Sequence, residues 1–85
     1  MNITVDEIRR VIVASAGASE SGVSDADFAD TTFDALGYES LALMETATAI
    51  ESEFGVLIPD ELLFNARTPR ELAELVRSAK EAAAA

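Results

Sequence analysis

The sequence predicts an all-α fold, a small four-helix bundle of three long helices and one short one with a long first loop. Three observations carry this. Two segments open on a capping box and continue with apolar residues at helical spacing, a third keeps that period between a serine and a glycine, and no segment alternates apolar with polar residues as a strand would. The chain of 85 residues is 49% hydrophobic but only 6% aromatic, which suits a single domain over 1–85 with a core packed from Ala, Leu, Ile and Val.

The first helix is expected over about 4–16. Thr4-Val5-Asp6-Glu7 is a capping box, with Thr4 at the N-cap, Glu7 three residues on, and Ile3 and Ile8 placed as a hydrophobic staple. Val5, Ile8, Val11 and Ile12 share one stripe, and Gly17 and Gly22 end the pattern. Residues 17–39 then form a connection in which Phe28, Phe33 and Leu36 are expected to pin the loop to the core, and a loop of that length in so small a domain is more often functional than idle. A second helix, about 40–54, follows Gly37-Tyr38-Glu39-Ser40 and stops at Gly55, where a left-handed residue is favoured. Its core stripe is Leu43, Ala47, Ile50 and Phe54, while Leu41 points nearly the opposite way and Met44 lies on the flank of Ser40, Glu45, Thr48 and Glu51. A short helix, about 60–64, follows Pro59 and uses Leu62, Leu63 and Phe64. The last helix, about 69–80, starts at the capping box Thr68-Pro69-Arg70-Glu71 and carries Leu72, Leu75, Val76 and Ala79 inward; the run Ala82 to Ala85 either extends it or frays.

Charge and composition exclude several classes of function. The net charge is −10, and between Val11 and Ala66 there are eleven Asp or Glu and no Lys or Arg. Such a field repels nucleic acid and anionic membrane and draws in basic protein surfaces. With no cysteine and no histidine, the chain has no disulfide, no thiolate nucleophile and no imidazole to activate a serine. The nucleophile-elbow pattern fails as well, because Ala42 stands where its second glycine belongs, so no catalytic residue is expected. Asp25, Asp27 and Asp30 resemble the opening of a calcium loop, but Ala29, Asp30 and Leu36 fall where a ligand, the turn glycine and the closing Glu are needed. No specific metal site is expected. No signal peptide is expected in residues 1–10, which are too charged and too short of an apolar run, and no apolar stretch is as long as a membrane span.

Ser40 remains as a substrate for another enzyme. At a helix start the unpaired N–H groups and the positive end of the dipole accommodate a phosphate esterified to a serine. The plainer role for such a residue is an ordinary N-cap. Against that, no Glu or Gln completes a capping box, and Leu41 and Met44 form an acid-rimmed apolar pair beside the hydroxyl.

Phe33, Leu36-Gly37, Ser40-Leu41, Glu45, Ile50-Glu51, Phe54-Gly55 and Ile58-Pro59-Asp60 follow in order a pattern that resembles the acyl carrier protein family, and a looser match runs from Ile8 to Ala79. Gly37-Tyr38 and Leu41-Ala42-Leu43-Met44-Glu45-Thr46 are most similar to the discrete carriers of bacterial type II polyketide synthases that build aromatic products. One departure is Glu39, where the family usually has Asp. The resemblance implies a non-catalytic, cytoplasmic, monomeric carrier with 4′-phosphopantetheine on Ser40, delivering malonyl units and growing polyketide chains as thioesters. It implies transient partners with basic surfaces: a phosphopantetheinyl transferase, a ketosynthase with its chain-length factor, a malonyl acyltransferase and tailoring enzymes, met through Glu39, Leu41, Met44, Glu45 and Glu51. Leu43, Ala47, Ile58, Leu63 and Leu75 either shelter part of a cargo chain or simply pack the core. The alternatives are a fatty-acid or peptidyl carrier and an unmodified acidic helical adaptor.

Self-repulsion among the acids opposes compaction. Added salt or divalent cations are expected to raise the melting temperature in a calorimetric titration, and a flat response would count against a concentrated acidic face.

Overall fold

A computed structural model describes residues 3–19 and 22–84. Among them there are six helices and no strand: α1 (Val5–Ala16), α2 (Asp25–Phe28), α3 (Phe33–Leu36), α4 (Ser40–Phe54), α5 (Asp60–Asn65) and α6 (Pro69–Ala84). The four bundle helices close a ring, α4 against α1 and α5, α6 against α1 and α5. The other two are single turns inside the long connection, where no regular structure was anticipated. Each has its own cap: Ser24 Oγ accepts from Asp27 N–H at 3.3 Å and Thr32 Oγ1 from Ala35 N–H at 3.2 Å. Four residues are too few for helical periodicity to register, so the caps were the only sequence signal.

Of both predicted capping boxes only the N-cap half forms, and each glutamate carboxylate takes other partners in place of the N-cap N–H. Thr4 Oγ1 accepts from Glu7 N–H at 3.3 Å, but the Glu7 carboxylate turns to Arg10 at 2.8 Å. At α6, Thr68 Oγ1 accepts from Glu71 N–H at 3.2 Å while Glu71 Oε1 accepts from Arg67 N–H at 3.1 Å. Ile3 and Ile8 are fully buried, as a staple requires. The terminal alanines carry α6 on to Ala84, beyond the expected end near residue 80; Ala85 lies outside the described residues.

Ile8, Val11, Ile12, Leu43, Ala47, Ile50, Phe54, Leu63, Leu72 and Val76 meet in one core, joined by Phe28, Phe33 and Leu36 from the connection. One expectation fails here. In α5 only Leu63 is buried, because a helix of under two turns on the rim of the bundle directs one side chain inward; Leu62 and Phe64 are 47% and 45% exposed. Thr46 is fully buried although polar, which its hydroxyl tolerates by donating to Ala42 O at 2.8 Å.

The connection is fastened to α6. Phe33 N–H donates to Arg67 O at 2.9 Å, Arg70 N–H to Ala29 O at 3.0 Å, and the Arg70 guanidinium grips Asp30 with two bonds of 2.7 and 3.1 Å. Burial separates the two leucines of α5. Leu63→Ala is expected to cost about 2–4 kcal/mol and Leu62→Ala about 0.5 kcal/mol or less, read by urea denaturation.

Candidate functional site at the start of α4

The turn before α4 is held from three directions. Gly37 closes α3 in the left-handed conformation, φ 89°, and its N–H reaches Asp34 O at 3.0 Å. Tyr38 N–H donates to Phe33 O at 2.9 Å, the Tyr38 hydroxyl donates to Gly17 O at 2.7 Å, and Ser19 Oγ donates to Leu36 O at 2.7 Å. Tyr38 is buried, which pushes its phenol above the ordinary value against a smaller opposing pull from Arg9.

Ser40 is not the N-cap. Glu39 is, so Ser40 is the first helical residue, and the third is Ala42 rather than Leu43. Glu39 makes no side-chain cap, since a Glu carboxylate is poorly suited to the compact bond that Asp or Ser makes from this position. The first-turn N–H groups of α4 therefore lack the side-chain acceptor that Thr4, Ser24 and Thr32 provide at their own helices. Ser40 is exposed, and its hydroxyl makes no hydrogen bond among the described residues.

Two grooves flank this turn. One, of about 370 Å³, is lined by Ser40, Leu43 and Tyr38, with Phe64 of α5 and Arg67 just past its end also on the wall and Asp34 and Glu39 among the lining residues. The other, about 770 Å³, runs toward the end of α1 past Leu36, Tyr38, Leu41 and Ala42, edged by Glu39 and Glu45. Leu41 is 68% exposed and Met44 42%. Glu51 stands apart from these residues: its Oε2 accepts from Ile58 N–H at 2.7 Å and ties the loop after α4 to the helix.

The acids of the supposed calcium loop are engaged elsewhere. Asp25 pairs with Arg9 at 2.8 Å, Asp27 accepts from the Ser24 hydroxyl at 3.0 Å, and Asp30 holds Arg70, which keeps its carboxyl below the usual range. Among the described residues no group of acids is arranged to hold a metal, and no helix is long and apolar enough to cross a membrane.

A family profile described as a phosphopantetheine attachment site matches residues 11–76. The chain belongs to the acyl carrier protein family. It is similar to the actinorhodin polyketide synthase acyl carrier protein of Streptomyces coelicolor, 45% identical over 82 residues covering 96% of this chain and 95% of the relative. The granaticin counterpart of Streptomyces violaceoruber is 44% identical, with 96% of each chain covered. Among solved structures, the 3-oxo-butyl intermediate mimic of the actinorhodin carrier from Streptomyces coelicolor superposes with a TM-score of 0.82 at 44% identity, covering 98% of this chain and 96% of that one. The 3,7-dioxo-octyl form gives 0.80 at 46%, covering 96% and 95%. The protein is thus a non-catalytic carrier with a covalent 4′-phosphopantetheine, which works through partner synthase enzymes.

The start of α4 fits that group. A phosphodiester there needs an exposed hydroxyl, nearby unpaired donors and an open flank, and the turn offers all three. Tyr38, Phe64 and Arg67 were not named as site residues from the sequence. For Tyr38 a signal was present: it precedes the Glu39 N-cap and stands to Leu43 as N′ to N4, the spacing of a hydrophobic staple.

Burial favours the neutral Tyr38 phenol, so its contribution to stability is complete below about pH 10 and is lost as pH rises through the higher folded-state value. Tyr38 is the one tyrosine and there is no tryptophan, so ultraviolet absorbance reports it alone. Its ionisation midpoint is expected above that of free tyrosine in the native protein, and back at the ordinary value in denaturant.

Proposed function

We propose that Ser40 is the residue that receives 4′-phosphopantetheine, and that the carrier serves a type II polyketide synthase, holding malonyl units and growing polyketide chains. The observation that carries the assignment is the exposed, unbonded hydroxyl in the first turn of α4. Other serines fit less well: Ser24 caps α2, Ser19 bonds Leu36 O, and Ser52 lies deep within α4, where the neighbouring N–H groups are spent on the helix. The bound group supplies a flexible arm ending in a thiol, which a chain without cysteine otherwise lacks.

The chain's own residues present that arm. Leu41 and Met44 offer an apolar contact, Glu39 and Glu45 surround it with negative charge, and Glu51 adds charge through the oxygen not given to Ile58. Basic surfaces on a phosphopantetheinyl transferase, a ketosynthase with its chain-length factor, a malonyl acyltransferase and tailoring enzymes are the complementary partners. Contacts of this kind associate fast and weaken with salt, which suits a shuttle that leaves each partner after use. The carrier is proposed to act as one domain over 1–85, a monomer in the cytoplasm. Names of the relatives favour polyketide over fatty-acid or peptidyl cargo.

Incubation with coenzyme A and a broad-specificity transferase is expected to add one phosphopantetheine to the wild type and none to Ser40→Ala, read by intact mass. An unmodified wild type would favour the adaptor reading, and a modified variant would place the attachment elsewhere.

A further inference from the structure

We propose that the Arg67 guanidinium binds the phosphate of the arm carried on Ser40. The inference rests on the Ser40 assignment and concerns how this chain accommodates the added charge. Five of the six bases are occupied: Arg9 with Asp25, Arg10 with Glu7 and Glu53, Arg70 with Asp30, Arg77 with Ile3 O and Lys80 with Phe54 O. Among the described residues Arg67 alone has a cationic group with no hydrogen-bond or ion-pair partner.

Its backbone, by contrast, is fixed on both sides. Arg67 O accepts from Phe33 N–H at 2.9 Å and Arg67 N–H donates to Glu71 Oε1 at 3.1 Å. The second bond, with that from Thr68, also occupies the Glu71 carboxylate, the nearest acid in sequence. The chain from Val11 to Ala66 has no base, and the fold returns the first base after it to the groove that holds Ser40. Asp34 and Glu39 line the same groove and neither pairs with the guanidinium.

A phosphodiester on Ser40 places a further negative charge beside Glu39. A planar guanidinium matches phosphate oxygens with two parallel donors. Tethering keeps the phosphate at high effective concentration, which compensates for the weakness of an exposed pair. The malonyl carboxylate is a poorer occupant, since it lies at the far end of a mobile arm.

The test uses isotope-labelled protein whose proteolytic fragment has been shown by mass to carry the arm on Ser40, so that failure of the Ser40 assignment is seen first and separately. Exchange of the Arg67 Nε proton with water is expected to slow about threefold from apo to holo protein. The phosphorus NMR signal of the holo protein is expected to move in Arg67→Gln and to stay nearer the wild-type position in Arg67→Lys. Inorganic phosphate added to the apo protein at equimolar concentration is expected to leave the exchange unchanged. An Arg67 exchange rate unaffected by modification, or a phosphorus signal that Arg67→Gln leaves in place, overturns the proposal; should the variants not fold, the wild-type exchange measurement decides alone.

Discussion

The attachment of residues 22–39 to the bundle is the constraint on which the start of α4 depends. A connection that long loses much conformational freedom on ordering, and the loss is offset by burying Phe28, Phe33, Leu36 and Tyr38. Directional bonds then select one arrangement: the backbone of Phe33 to Arg67, that of Arg70 to Ala29, and the Tyr38 hydroxyl to Gly17. Without these, α4 would begin at a frayed end and Ser40 would have no defined orientation toward either groove. The approach to the first turn of α4 is thus tied down through its backbone while Ser40 and Leu41 stay exposed, which suits the proposed attachment site.

Charge is divided between two tasks. The bases join segments distant in sequence, Arg10 linking α1 to Glu53 of α4 and Arg70 linking α6 to Asp30. Those pairs hold Glu53 and Asp30 in the ionised form and Arg10 and Arg70 in the protonated form. Each is solvent-exposed, so each contributes modestly to stability and chiefly fixes geometry. Glu39 and Glu45, beside Leu41 and Met44, have no ion pair among the described residues. Part of the uncompensated charge therefore lies at the start of α4, on the face proposed for partner contact.

Much of this was legible in the residues because it is local. Thr4 and Thr68 marked two helix starts, Gly55 one helix end, and the 3.6-residue period placed Leu43, Ala47, Ile50 and Phe54 inward and Leu41 outward. What escaped depends on contacts across the chain or on elements too short to show a period. The one-turn helices α2 and α3 are visible only through Ser24 and Thr32, and the placement of Arg67 on the groove that Ser40 also lines follows from a backbone bond to Phe33, 34 positions away by the numbering. The start of α4 at Ser40 was anticipated but its cap was not, because a serine at a helix start suggests an N-cap, whereas Tyr38 and Leu43 stand at staple spacing around Glu39, which is the cap. Leu62 and Phe64 misled because apolar character alone does not say which side of a short helix faces the core.

Thr46 bears on how the interior responds to strain. Its hydroxyl is satisfied by Ala42 within the same helix, and no side-chain hydrogen bond links α4 to α5 among the described residues. Cohesion at that seam is dispersion and water exclusion, neither of which has a preferred direction. Forces of that kind let helices slide and re-seat with no polar atom stranded on the way. Parting that seam consequently breaks no side-chain hydrogen bond, and what opposes it is the apolar surface, Leu63 above all, that would be exposed to water.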